Sequence, residues 1–147
     1  MGERAAYRVR DGLAFSHMMR KQWYQGGDKE SLKSLIERVI CTLNGGALGV
    51  GSMIFGSALR PDLDIRRLTA AMYNVLYDPP FDSIEYDYNC DIRDHGLFEL
   101  EILEWNVWAI NHYDIQTDDI YDKKRLVLVK IENGMPEFEW ADDFVVY

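Results

Sequence analysis

Two periodicities divide the chain. Leu32, Leu35, Ile36, Val39, Ile40 and Leu43 recur at helical spacing, with Lys33, Ser34, Glu37 and Arg38 off the stripe. This pattern predicts an amphipathic helix. Asp28 stands where a side-chain oxygen can accept from free N–H groups at its start, and Asn44-Gly45-Gly46 stands where a left-handed residue can end it. A second stripe, Leu68, Met72, Val75 and Leu76, predicts a helix over 65–77, capped from Asp62 or Asp64 and stopped at Asp78-Pro79-Pro80.

Most of the remainder alternates with period two. Ala5, Tyr7 and Val9 share one side of a strand, and Asp11-Gly12 predicts a hairpin turn into a return strand over 13–20. Ile84, Tyr86, Tyr88 and Cys90 alternate with Glu85, Asp87 and Asn89, and Phe98, Leu100 and Ile102 alternate with Glu99 and Glu101. Asp94-His95-Gly96 between them reads as a hairpin loop. The register that matches apolar faces sets Cys90 opposite Leu100 and Asp91 opposite Glu99. Residues 125–131 are nearly continuously apolar, as in a central strand, and Asn133-Gly134 turns them back. That turn sets Val129 opposite Phe138, Val127 opposite Trp140 and Lys130 opposite Glu137, with Pro136 marking an edge strand. Residues 47–60 fit a loop, a buried strand or a close-packed helix equally well. The fold expected is one α+β domain over 1–147, an antiparallel sheet of hairpins with two amphipathic helices packed on one face.

Charge changes the picture. The 147 residues carry a formal net charge of −9, with a pI near 4.7. Residues 1–80 hold 11 Lys/Arg against 8 Asp/Glu, whereas residues 81–147 hold 5 against 17. A surface this acidic disfavours direct nucleic-acid binding, which needs cations to neutralise phosphates. It suits a basic protein surface as partner. On the expected register Glu85, Asp87, Asp91, Glu99 and Glu101 share one sheet face, with like charges directly opposed. Such a face calls for compensation by water and counter-ions, by Arg and Lys of the basic first half, or by an outside cation such as a basic protein surface. A divalent metal fits poorly, since no loop wraps an ion. These five carboxylates are the candidate partner-binding set.

The candidate chemistry is thin. Gly49, Gly51 and Gly56 make neither a P-loop nor a dinucleotide fingerprint, because the lysine and the third glycine are missing. His95 and His112 read as surface loop residues. No histidine pair has metal-ligand spacing, and neither a metal nor a cofactor is expected. His17, beside Arg20, Lys21 and Trp23, is the best acid–base candidate. With Arg8 and Arg10 these residues form an alternative site for a small anionic ligand such as a nucleotide. Cys41 and Cys90 are lone thiols without an activating neighbour, which points to a reducing, cytoplasmic setting. The opening residues lack an apolar signal segment, and no run is long enough to span a membrane. Tyr and Trp residues fall mostly at core-facing strand positions and read as packing.

Met1-Gly2-Glu3-Arg4, the Asp11-Gly12 turn, Arg20-Lys21-Gln22-Trp23-Tyr24-Gln25-Gly26 before the first helix, and Ile84-Glu85-Tyr86-Asp87-Tyr88 resemble a group of small phage and bacterial proteins of unknown function. The Asp and Pro of that group's aromatic-Asp-x-Tyr-Pro segment are absent here. The resemblance implies a phage or mobile-element setting and carries over no catalytic residue. Three functions remain open. The first is a non-enzymatic inhibitor that blocks a bacterial defence or toxin protein through the acidic half. The second is an anionic-ligand binder or hydrolase using the basic half, and the third a structural or oligomeric component.

Overall fold

A computed structural model describes residues 3–45, 59–85, 94–113, 123–142 and 144. Within them the chain runs β1 (Ala5–Asp11), β2 (Ala14–Phe15), β3 (Met18–Lys21), α1 (Lys29–Leu43), α2 (Ile65–Leu76), β4 (Ser83–Glu85), β5 (Leu97–Glu104), β6 (Val107–Tyr113), β7 (Lys123–Glu132) and β8 (Met135–Trp140). The eight strands form one sheet in the order β4-β3-β1-β5-β6-β7-β8, with β2 also pairing β1. Every pairing is antiparallel except β1 with β5. That parallel pair needs a crossover, and the two helices lie within it.

Both helices start as the sequence predicts. The Asp28 carboxylate accepts from the Ser31 N–H and hydroxyl, and Asp64 accepts from the Arg67 N–H at 3.0 Å. Leu32, Leu35, Ile36, Val39 and Ile40 are buried along α1, and Leu68, Ala71, Met72 and Leu76 along α2. They join one core cluster with Tyr7 and Val9 of β1, Phe98, Leu100 and Ile102 of β5, Trp108 and Ile110 of β6, and Val127, Val129 and Ile131 of β7. The last hairpin also matches. Val129 pairs with Phe138, Val127 with Trp140 and Lys130 with Glu137, while Asn133 and Gly134 take φ of 53° and 77°.

Two hairpins differ from expectation. Gly12 turns the first one at φ 60°, but regular pairing stops after Arg10–Phe15. The Ser16 hydroxyl takes the Val9 N–H at 2.8 Å, and pairing resumes one residue out of step, with Ala6 opposite Arg20 and Tyr7 opposite Met19. Met19 is buried on the core face and Met18 on the opposite face, whereas Leu13 and Phe15, before the slip, are exposed. The second difference concerns β5. Its expected partner was the 84–93 strand, yet both its edges are occupied, by β1 on one side and β6 on the other. Leu97 pairs with Tyr113, Glu99 with Asn111 and Ile102 with Trp108, while Ile84 and Glu85 pair with Met19 and Met18 of β3. The tight turn around Trp105-Asn106 that makes the β5–β6 hairpin holds neither glycine nor proline, so Asn106 is its one local signal, weaker than the Gly96 loop. The readings of Cys90 and of Gly49, Gly51 and Gly56 fall outside the described residues, as does nearly all of 47–60.

Candidate functional site: a charged cluster on the sheet

Strand pleating sends alternate residues to opposite faces. Tyr7, Val9, Phe98 and Leu100 enter the core, so Arg8, Arg10, Glu99 and Glu101 face the other way. Register then gathers them. Arg8 lies opposite Glu99, Arg10 opposite Glu101, Glu99 opposite Asn111, Asn111 opposite Arg125, and Tyr113 opposite Lys123.

Glu99 is at the centre and is 0% exposed. Its Oε2 accepts from Arg8 Nε at 2.7 Å and lies 2.6 Å from the second guanidinium nitrogen. Its Oε1 accepts from Asn111 Nδ2 and from the Tyr113 hydroxyl, each at 3.1 Å. Glu101 Oε1 accepts from Asn111 Nδ2 at 2.9 Å, Lys123 Nζ at 3.1 Å and Arg125 at 2.9 Å. Arg10 approaches both carboxylates, at 3.9 and 4.0 Å. The Phe15 ring lies 4.3 Å from the Arg8 guanidinium carbon and 5.1 Å from that of Arg10. It shields the cations and favours them through its π-face.

The electrostatics follow from this crowding. Burial by itself raises the Glu101 carboxyl, but the hydrogen bonds from Asn111 and Lys123 and the charges of Lys123 and Arg125 outweigh it, so the net direction is down. Burial, then the Glu99 charge, push the Tyr113 phenol up. Each carboxylate is engaged by several protein donors, so neither is placed as a free base. Among the described residues no group of three His, Cys, Asp or Glu side chains could hold a metal ion.

The two sets proposed from sequence fare differently. Glu99 and Glu101 were expected on an acidic face balanced by solvent ions, by the basic half of the chain or by an outside cation; their partners are Arg8 and Arg10 of that basic half, with Lys123 and Arg125 of β7. Glu85 lies in β4, three strands from β5, with Arg20 4.0 Å away. Asp87 and Asp91 are outside the described residues. The basic set is split by the pleat. Arg8 and Arg10 belong to the cluster, and Arg20 sits opposite Ala6 on that same face. Lys21, one residue on, is buried on the other. Its Nζ donates to the Leu76 carbonyl at 2.6 Å and to Asp82 at 3.0 Å, which ties β3 to the end of α2. His17 is exposed, and its carbonyl accepts from the Tyr73 hydroxyl. Trp23 is 52% exposed.

His95 and His112 are also corrected. His112 is buried in β6, with Nε2 2.6 Å from the His95 carbonyl oxygen, and the His95 ring stacks on Tyr24 at 3.5 Å. Asn111, Tyr113, Lys123 and Arg125 escaped the sequence reading. The alternation of Trp108 and Ile110 with Ala109 and Asn111 was the available signal for the first of them.

The remaining described carboxylates of the second half include an exposed group on the β7–β8 hairpin: Glu132, Glu137, Glu139 and, just past β8, Asp142. Among the described residues none of these four makes an ion pair. No helix of the described residues is long and apolar enough to cross a membrane. No protein-family model, curated protein or solved structure matches this chain.

Proposed function

We propose that this chain is a non-enzymatic binding protein that meets a basic protein surface through its acidic C-terminal half. The observation that carries the reading is the division of the carboxylates. Glu99 and Glu101 are consumed inside the sheet, whereas Glu132, Glu137, Glu139 and Asp142 stand exposed on one terminal hairpin. In this reading both helices cover the Tyr7–Val9 face of the sheet, where α1 also reaches Phe138 and Trp140, and leave the Glu137 and Glu139 face of that hairpin open. The resemblance to small phage proteins points to a bacterial defence or toxin protein, in the cytoplasm, as the partner. Opposed charge speeds encounter and is weakened by salt.

The test uses the partner recovered from host lysate, then purified, with affinity measured at low and high salt. Converting Glu137, Glu139 and Asp142 to their amides should leave the circular dichroism unchanged, slow association and flatten the salt dependence. Equal binding by parent and variant at both salt concentrations refutes the reading. A second reading, an anionic-ligand binder, draws on Arg10, Lys123 and Arg125, whose side chains keep 24%, 30% and 40% exposure around Glu101. It requires a thermal shift with nucleotides that Arg125→Ala abolishes.

A further inference from the structure

β8 is the last strand of the sheet among the described residues. Which of its backbone groups face outward follows from one hydrogen bond. The Ala141 N–H donates to the Leu126 carbonyl at 2.9 Å, so in this register the pairs Leu128–Glu139, Lys130–Glu137 and Glu132–Met135 are the hydrogen-bonded ones. The Ile131 N–H, bonded to the Asn106 carbonyl on the other side of β7, agrees with that parity. Pro136, Phe138 and Trp140 therefore turn their backbone groups away from β7. Pro136 has no N–H, which blunts the edge near the turn. Phe138 and Trp140 keep both donor and acceptor.

The side chains at this edge are of two kinds. Glu137 and Glu139 are exposed on one face, whereas Phe138 and Trp140 are half-buried on the other, stacked at 5.7 Å. On that second face Lys33 Nζ lies 5.6 Å from the Phe138 ring and Lys29 Nζ 5.6 Å from the Trp140 ring. A strand laid against β8 would thus meet carboxylates on one side and aromatic rings with lysines on the other. Basic residues suit the first side, and apolar residues the second, where further cations would meet Lys29 and Lys33. A second copy of this chain suits neither. Antiparallel pairing centred on Phe138 opposes Glu137 with Glu139 of the other copy, and directly opposed like charges destabilise a sheet.

We propose that the outer edge of β8 accepts an extended partner segment alternating basic and apolar residues, as an added antiparallel or parallel strand. The inference rests on the acidic-hairpin reading above and specifies its geometry. The Phe138 and Trp140 backbone groups supply the hydrogen bonds, and Glu137 and Glu139 select the basic side chains.

The probe is a synthetic peptide of about ten residues, the upper end of ordinary strand length, alternating Lys and Val. Two comparison peptides carry Pro at two central Val positions, or Glu in place of every Lys. Binding is read by anisotropy of the labelled peptide, and amide hydrogen exchange by NMR. The Lys/Val peptide should bind and slow exchange at the Phe138 and Trp140 amides, while the Glu137 and Glu139 amides, already bonded to β7, hardly change. Either comparison peptide should bind at least about tenfold more weakly. If the Pro-interrupted peptide binds equally well, the contact is electrostatic alone: strand addition is overturned and the acidic-hairpin reading stands. Unprotected Phe138 and Trp140 amides overturn it as well, as does protection that rises with protein concentration without peptide, which marks a second copy as the occupant. Loss of partner binding in the triple amide variant, with no peptide binding, separates failure of this inference from failure of the proposed function.

Discussion

Exchanging Glu99 for Gln removes one charge from the buried cluster and scarcely alters its shape. The glutamine carbonyl can still accept from Asn111 and Tyr113, which now bond Oε1. Its amide nitrogen cannot accept from Arg8, which loses contacts of 2.7 and 2.6 Å while only 9% exposed. Arg10, 3.9 Å from Glu99, compensates little because it is a second cation. Removing one member of a buried ion pair costs about 3–5 kcal/mol, since the other charge stays buried without a counter-charge. That is a large share of the roughly 5–15 kcal/mol that stabilises a typical domain. At about 2–4 °C per kcal/mol for a chain near this size, the melting temperature should fall by about 6–20 °C. Urea unfolding followed by circular dichroism should be run on the parent, Glu99→Gln, Arg8→Met and the double variant. Both single variants should be strongly destabilised. The double variant should lie well short of their sum, with a coupling of about 2 kcal/mol, because no charge is then orphaned. Additive losses, or a loss below about 1 kcal/mol for Glu99→Gln, would refute the argument that this pair is a coupled buried unit.

Three further outcomes follow from the geometry. Gly96→Ala should cost more than Gly12→Ala in urea melts: both glycines have positive φ (75° and 60°), but a Cβ at Gly96 meets the Tyr113 carbonyl oxygen at 2.3 Å, whereas at Gly12 it meets nothing within 4 Å. The strained backbone alone accounts for about 1–3 kcal/mol at either site, so equal costs contradict the close β5–β6 approach. Leu35→Ala should lose about 2–5 kcal/mol, because its side chain is 4% exposed in the shared core, and a melting point within a degree of the parent would remove α1 from that core. Glu101 has a lowered native pKa, so the stability it contributes is complete above its ordinary carboxylate range and is lost as pH falls through the native value. The stability gap between parent and Glu101→Gln should therefore narrow on going from about pH 6 to about pH 3, and a gap constant with pH would contradict the charge network around Glu101.

The local elements are legible in the residues that form them, because their causes lie within a few positions. Asp28 and Asp64 mark the helix starts, the Leu32–Ile40 stripe marks the buried side of α1, and Asn133-Gly134 fixes both the turn and the register of β7 with β8. Period-two alternation also separated Tyr7 and Val9 from Arg8 and Arg10 correctly. Which strand lies beside which was decided only by the fold. The 84–90 segment and β5 have matching alternation and a glycine turn between them, yet β5 sits between β1 and β6, and the parallel β1 neighbour arrives through two helices and a long connection. No local signal encodes such a pairing, because it depends on burying one face of five strands at once. The same holds for the charged cluster. The carboxylates of Glu99 and Glu101 are visible in the sequence as an acidic face. Their neutralisation by Arg8, Arg10, Lys123 and Arg125 comes from strands 91 residues before and 24 residues after them, brought together only when the sheet closes around them.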